Sequence, residues 1–224
     1  MRLAGVAGAL VALLMVSVSS WGEIPDANPE DFWGLYKSLE NATKAMEPPV
    51  EKKTTKGYLR FLGAPQGAAF KVVATGPSDP QVTASQFMQK HGRVFGAVTS
   101  RSTFKAVTTK MAEDRASVRL DQEYSGIPVF GAHVFLQTDT NGGVLSALSD
   151  IMRETSTLDN NTLSLNPSHP LERAEREALD LMRTTYGGSD YEVLVGRLFV
   201  FAPPVVGNSG EPCLVWAIIA VSQT

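Results

Sequence analysis

The side chains of this 224-residue chain best suited to chemistry are three histidines and one cysteine. His91, His133 and His169 lie far apart, and none belongs to a His-Glu-x-x-His pair, the spacing that sets two imidazoles on one helix face around zinc. His91 closes a helical stretch, where the helix dipole favours a cation, and His169 stands at a helix start. Cys213 would need a neighbouring base and a depressed pKa to act as a nucleophile. It opens an apolar strand instead, the setting of a buried, inert thiol. No Gly-x-Ser-x-Gly elbow occurs, and the glycines fit neither a phosphate loop nor a dinucleotide site. The carboxylates fall on turns and helix faces, with no pair marked out for hydrolysis. Among the tryptophans, Trp216 reads as core, and Trp33 with Phe32 and Tyr36 as a docking patch or simple packing. The chain is therefore read as a non-enzyme that needs no cofactor and no metal of its own.

The elements around these residues are legible. Tyr58 to Leu62 is a short strand, and Phe70 to Ala74 a second. Asp79-Pro80 opens a helix, with Asp as N-cap and Pro in the first turn. Ala84, Phe87, Met88 and His91 share one face of it, Gly92 is its C-cap, and Phe95-Gly96 follows as a buried plug. Phe104 to Val107 is a strand. Val118, Leu120, Gln122 and Tyr124 then alternate with polar residues, the pattern of a half-buried strand. Ser125-Gly126-Ile127-Pro128 breaks the ladder, because proline cannot donate and glycine permits unusual dihedrals. Ala132, Val134 and Leu136 resume the alternation, and Asn141-Gly142 signals a hairpin into Val144 to Leu148. Leu158 to Asn166 is a polar linker. Pro170 starts a helix whose apolar stripe is Leu171, Ala174, Ala178, Leu181 and Met182, and Gly187-Gly188 ends it. Arg197 to Phe201 and Cys213 to Val221 form a last hairpin. The fold class is α+β, with antiparallel sheets each packed against a helix in two small consecutive domains.

Composition agrees with a globular chain: 43% hydrophobic, 19% charged, net charge −3. That charge implies no nucleic-acid partner and no anionic-lipid surface. Arg2, the apolar run Leu3 to Val18 and the small residues Ser17, Ser19, Ser20 and Gly22 read as a secretory signal peptide, cleaved after Ser20 or Gly22. The run is shorter than the roughly 20 apolar residues of a membrane span. The chain is thus expected to be secreted, extracellular or periplasmic, with no membrane attachment after cleavage. A single cysteine gives no internal disulfide framework, so the hydrophobic core alone must hold the fold.

With those residues laid out, the chain resembles the N-terminal pro-region of secreted thermolysin-like and fungalysin-like zinc metallopeptidases. The most specific part is Val118 to Asp150: a strand ending in Tyr124, then Gly126-Ile127-Pro128-Val129-Phe130-Gly131, an apolar strand, and Asp139 with Asn141-Gly142-Gly143. This looks like the fungalysin/thermolysin propeptide motif. Pro170 to Val221 resembles the PepSY-type domain that follows it, a cystatin-like unit. The implied organisation is a signal peptide over 1–22, a linker over 23–56, the motif domain over 57–152, a linker over 153–166 and a truncated PepSY-type domain over 167–224. The implied role is inhibitor and folding chaperone of a cognate thermolysin-like metallopeptidase domain. The alternative is a stand-alone secreted module that regulates a protease in trans. The family continues into a catalytic domain that this sequence lacks, so the resemblance implies a fragment. Its motif positions are Tyr124, Gly126, Pro128, Phe130, Gly131, Asn141 and Gly142, with Gly126 and Pro128 holding the strand break and Phe130 read as core ahead of contact.

Overall fold

The computed structural model describes residues 10–14, 37, 50–53, 57–72, 79–97, 99–153, 155–160, 164–188 and 190–222. Phe32, Trp33 and Tyr36, read from the sequence as a docking patch or simple packing, lie outside them. The elements run β1 (Leu10–Leu14), β2 (Val50–Lys53), β3 (Leu59–Gly63), β4 (Phe70–Lys71), α1 (Pro80–His91), β5 (Ser102–Met111), β6 (Arg115–Tyr124), β7 (Ile127–Asp139), β8 (Gly143–Asp150), α2 (Ser156–Asp159), α3 (Leu171–Tyr186), β9 (Tyr191–Phe201) and β10 (Cys213–Ser222). Single 3-10 turns, Gly92–Phe95 and Pro203–Val206, follow α1 and β9. The molecule is α+β.

The first core forms where α1 crosses the meander. Asp79 caps the helix by accepting from the Gln81 amide at 2.8 Å, and Pro80 fits the first turn because it has no amide to leave unpaired. The expected face is the buried one: Ala84, Phe87, Met88 and His91 pack with Leu59, Leu62, Val118, Leu120, Val134 and Leu136. Strand alternation supplies the other wall, since successive side chains point to opposite faces. Each fully buried Phe or Leu here contributes about 1.5–3 kcal/mol.

At the helix end one expectation holds and one is corrected. Gly92 is the C-cap of α1, in a right-handed conformation that carries the chain into the 3-10 turn, and a left-handed glycine follows at Gly96, at φ +93°. His91 is not a cation greeting a helix dipole. It lies buried against Phe87 at 5.1 Å between ring centroids, and burial, helped by Lys90, pushes its pKa down to about 4. Desolvation outweighs the dipole here, because the dipole effect is at most about 2 kcal/mol.

The sheet path runs β1-β10-β9-β7-β8-β3-β2, with β4 beside β8 and β5 reached through β6. Neighbours are antiparallel except at one point, a parallel bridge between Val129 of β7 and Val200 of β9. The two expected sheets are therefore continuous through β7. Several boundaries also differ. Val50–Lys53, expected as linker, pairs with β3. Leu158, expected in a polar linker, is fully buried. Leu181 is 46% exposed rather than part of the α3 stripe, which Leu171, Ala174, Ala178 and Met182 form without it. Leu10–Leu14, inside the expected leader, runs antiparallel along β10. Among the described residues, no helix is long and apolar enough to cross a membrane.

Candidate functional site

The motif residues Tyr124 to Gly131 meet at the joint between the meander and the C-terminal hairpin. β6 and β7 are connected by a two-residue turn in which Ser125 and Gly126 both have positive φ, 49° and 82°. That is the mirror-image turn whose twist matches a hairpin. Tyr124 pairs with Ile127 and Glu123 with Pro128, so the ladder is intact across the residues expected to break it. The break comes next. Asp121 pairs with His133 while Glu123 pairs with Pro128, so Val129 to Ala132 bulge out opposite the single residue Gln122. Pro128 immediately precedes this departure.

The bulge reaches the second half of the chain. Val129 makes the parallel bridge to β9. The Phe130 ring stands edge-on to Phe199 at 5.7 Å and tilted on Phe201 at 6.1 Å. Gly131, at φ +73°, faces Val205 and Val206 of the second 3-10 turn. Beneath them a separate core gathers Tyr124, Val129 and Ala132 from the meander, Met152 and Leu158 from the connection, Val200 from β9 and Ala202 just after it.

Polar groups close the joint. Gln122, the residue opposite the bulge, has a fully buried side chain. The buried amide accepts from the Met152 N–H at 2.7 Å and donates to the Met152 carbonyl at 3.0 Å, as a neighbouring strand's peptide would. The Tyr124 hydroxyl donates to Asp159 Oδ1 at 2.6 Å, and burial, first among several causes, raises its pKa. Asp159 also accepts from the Thr155 and Thr99 hydroxyls, and Arg101 donates to the Tyr124 oxygen at 3.4 Å. Arg153 lies beside this network. Its guanidinium donates to the carbonyls of Phe95, Ile151, Leu59 and Ser149, and burial lowers its pKa. A guanidinium has enough donors to serve several carbonyls at once, and it stays charged.

Asn141 and Gly142 are not part of this joint. They sit at the far end of β7, about 30 Å away along the partner strand β6, whose two ends pair with Ile127 and Asp139. There the Asp139 carboxylate accepts from the amides of Asn141 and Gly143, at 2.9 and 2.7 Å, and Gly142 takes φ +75°. Gln122, Arg153, Thr155 and Asp159 went unselected in the sequence. Only Gln122 carried a signal, as a neutral polar residue at an inward strand position.

Among the described residues, the joint holds no nucleophile–base pair. Cys213 is half-buried and free, and burial raises its pKa, which disfavours the thiolate. His133 Nδ1 lies 2.8 Å from the Gly131 carbonyl, and the His169 carbonyl accepts from the Trp216 indole. The arrangement can order the two halves of the chain against each other, and it leaves the sheet face opposite α1 partly exposed. On that face Phe61, Leu148 and Phe135 are cross-strand neighbours, with Leu148 38% and Phe135 42% exposed. Arg119 extends the row, its guanidinium 5.9 Å from the Phe135 ring centre.

Residues 103–151 match the family model described as the Fungalysin/Thermolysin Propeptide Motif. The matched stretch is the four-strand meander from β5 to β8. No curated protein matches the chain. Among solved structures, the chain is similar to the Bacillus megaterium YpeB C-terminal domain, at 10% identity, with 89% of each chain covered and a TM-score of 0.38.

Proposed function

We propose that the chain is the non-catalytic pro-region of a secreted zinc metalloendopeptidase, acting as inhibitor and folding chaperone of its cognate peptidase domain. The observation that carries this reading is the propeptide motif over 103–151. The geometry supports it. The motif residues Tyr124 to Gly131 are spent on joining two halves of the chain, the use expected of a scaffold rather than of an active site. We read residues 167–224, with α3 laid across β9 and β10, as the accompanying PepSY-type unit.

The surface assigned to the peptidase is the outer row Phe61, Leu148 and Phe135. Clustered large apolar side chains left in water are the usual mark of an interface, and an aromatic beside an arginine is a frequent anchor. The resemblance also leaves the chain as a secreted, extracellular or periplasmic species once residues 1–22 are cleaved. A refolding experiment tests the chaperone role: a thermolysin-like peptidase domain is diluted from denaturant with and without the chain. The reading predicts a higher recovered yield with the chain present. Equal yields at every ratio would remove the role.

A further inference from the structure

The sheet ends at β1, β2, β4 and β5, and its edges are protected differently. β2 carries Glu51, Lys52 and Lys53. β5 carries Lys105 and Lys110, and its register is interrupted between Ala106 and Thr108. Charges and bulges of this kind stop a sheet edge from recruiting another strand. β10 has neither protection on its outer side. From Cys213 to Ser222 it reads Cys-Leu-Val-Trp-Ala-Ile-Ile-Ala-Val-Ser, without charge, proline or glycine. What covers it is β1, antiparallel over five residues, with Leu14 against Trp216 and Leu10 against Ala220.

We propose that the outer edge of β10 is a strand-accepting interface, occupied by Leu10–Leu14 in the unprocessed chain and taken by β10 of a second copy once the leader is removed. The proposal rests on residues 1–22 being a cleaved leader and is independent of the peptidase reading. Removal of β1 strips the partners from alternate β10 amides and carbonyls along a fully apolar strand. A second β10 replaces β1 in kind. β1 is Leu-Val-Ala-Leu-Leu, and the segment it covers is Trp-Ala-Ile-Ile-Ala, equally apolar and equally uncharged. Antiparallel pairing about Ile218 sets Trp216 of each copy against Ala220 of the other, a large side chain on a small one. It restores the same number of paired residues as β1 supplies. The adjoining strand adds apolar surface: Val195, opposite Ile219, is 48% exposed, and the bulged Leu194 is 57% exposed. A two-fold interface of this type is closed, so it ends at the dimer.

The test uses the full chain expressed through a secretory host, with the N terminus read by mass spectrometry. Sedimentation over a wide concentration range should give twice the monomer mass for the processed chain. Ile219→Lys should bring the mass back to that of a monomer while the thermal transition stays in place. Hydrogen exchange supplies a readout that needs no variant: the alternate β10 amides that face away from β9 should be protected in the processed chain and lose protection on dilution to monomer. A processed chain that stays monomeric overturns the proposal. So does a dimer in which those amides exchange freely, or a secreted chain that retains its leader.

Discussion

The Tyr124 hydroxyl donates to Asp159 at 2.6 Å, tying the last residue of β6 to the helical turn that begins the path to the C-terminal half. The residues are 35 apart in sequence. Both belong to one closed set with Thr99, Thr155 and Arg101. Removing the hydroxyl leaves a partly buried carboxylate short of a donor. Tyr124→Phe should therefore cost about 1–3 kcal/mol in urea unfolding. In a double-mutant cycle, Asp159→Asn should add little on top of Tyr124→Phe. Additive losses would show that the two groups act separately.

His91 gives the fold an acid-sensitive point. Its folded pKa, about 4, lies below the ordinary 6.5. The neutral form is the one the core accepts, so the unfolded chain binds the proton more readily. The His91 contribution is fully present above pH 6.5 and is lost as pH falls toward 4. A shift of this size corresponds to at most about 3 kcal/mol. Among the facing groups, Phe87 and the α1–meander core are apolar, and Lys90 is the charged neighbour. His91→Leu should flatten the stability profile between pH 4 and 6.5. An unchanged slope in the variant would place the acid sensitivity elsewhere.

Phe130 should matter to one half of the molecule more than the other. Its ring contacts are with Phe199 and Phe201 of β9, not with the α1 core. Phe130→Ala should cost about 2–4 kcal/mol. Hydrogen exchange should speed up in β9 and β10 while β6 and β8 keep their protection. Uniform loss of protection would mean that the joint and the meander unfold as one unit.

Gly126 isolates backbone conformation from packing. Its φ is +82°, and an added Cβ would meet nothing within 4 Å. Gly126→Ala should thus cost about 1–2 kcal/mol from the left-handed backbone alone. Gly126→Asn should cost less, since asparagine tolerates that region. Equal losses for both variants would point to a steric cause.

Much of this fold was legible because local signals and burial agreed. The Asp79-Pro80 start, the α1 face and the inward set Val118, Leu120, Gln122 and Tyr124 all appear where periodicity puts them. Long-range choices were not legible. The four-residue bulge at Val129 to Ala132 depends on β9 offering Val200, Phe199 and Phe201, a partner some 70 residues on. Leu158 looked like linker because its neighbours are polar, yet tertiary packing buries it. His91 sat where a dipole argument favours charge, and desolvation won. Of the motif positions, the strand-pair Tyr124 to Gly131 forms one site, while Asn141 and Gly142 serve only their own hairpin.

A pro-region of the proposed kind binds and silences a thermolysin-like peptidase through its outer sheet face. Titrating the chain into such a peptidase, while following proteolytic activity and co-elution in size exclusion, tests this. Activity should be lost with a stable complex, and Phe135→Asp or Leu148→Asp should weaken binding at least about tenfold with the fold retained. Full activity and separate elution at every ratio would contradict it.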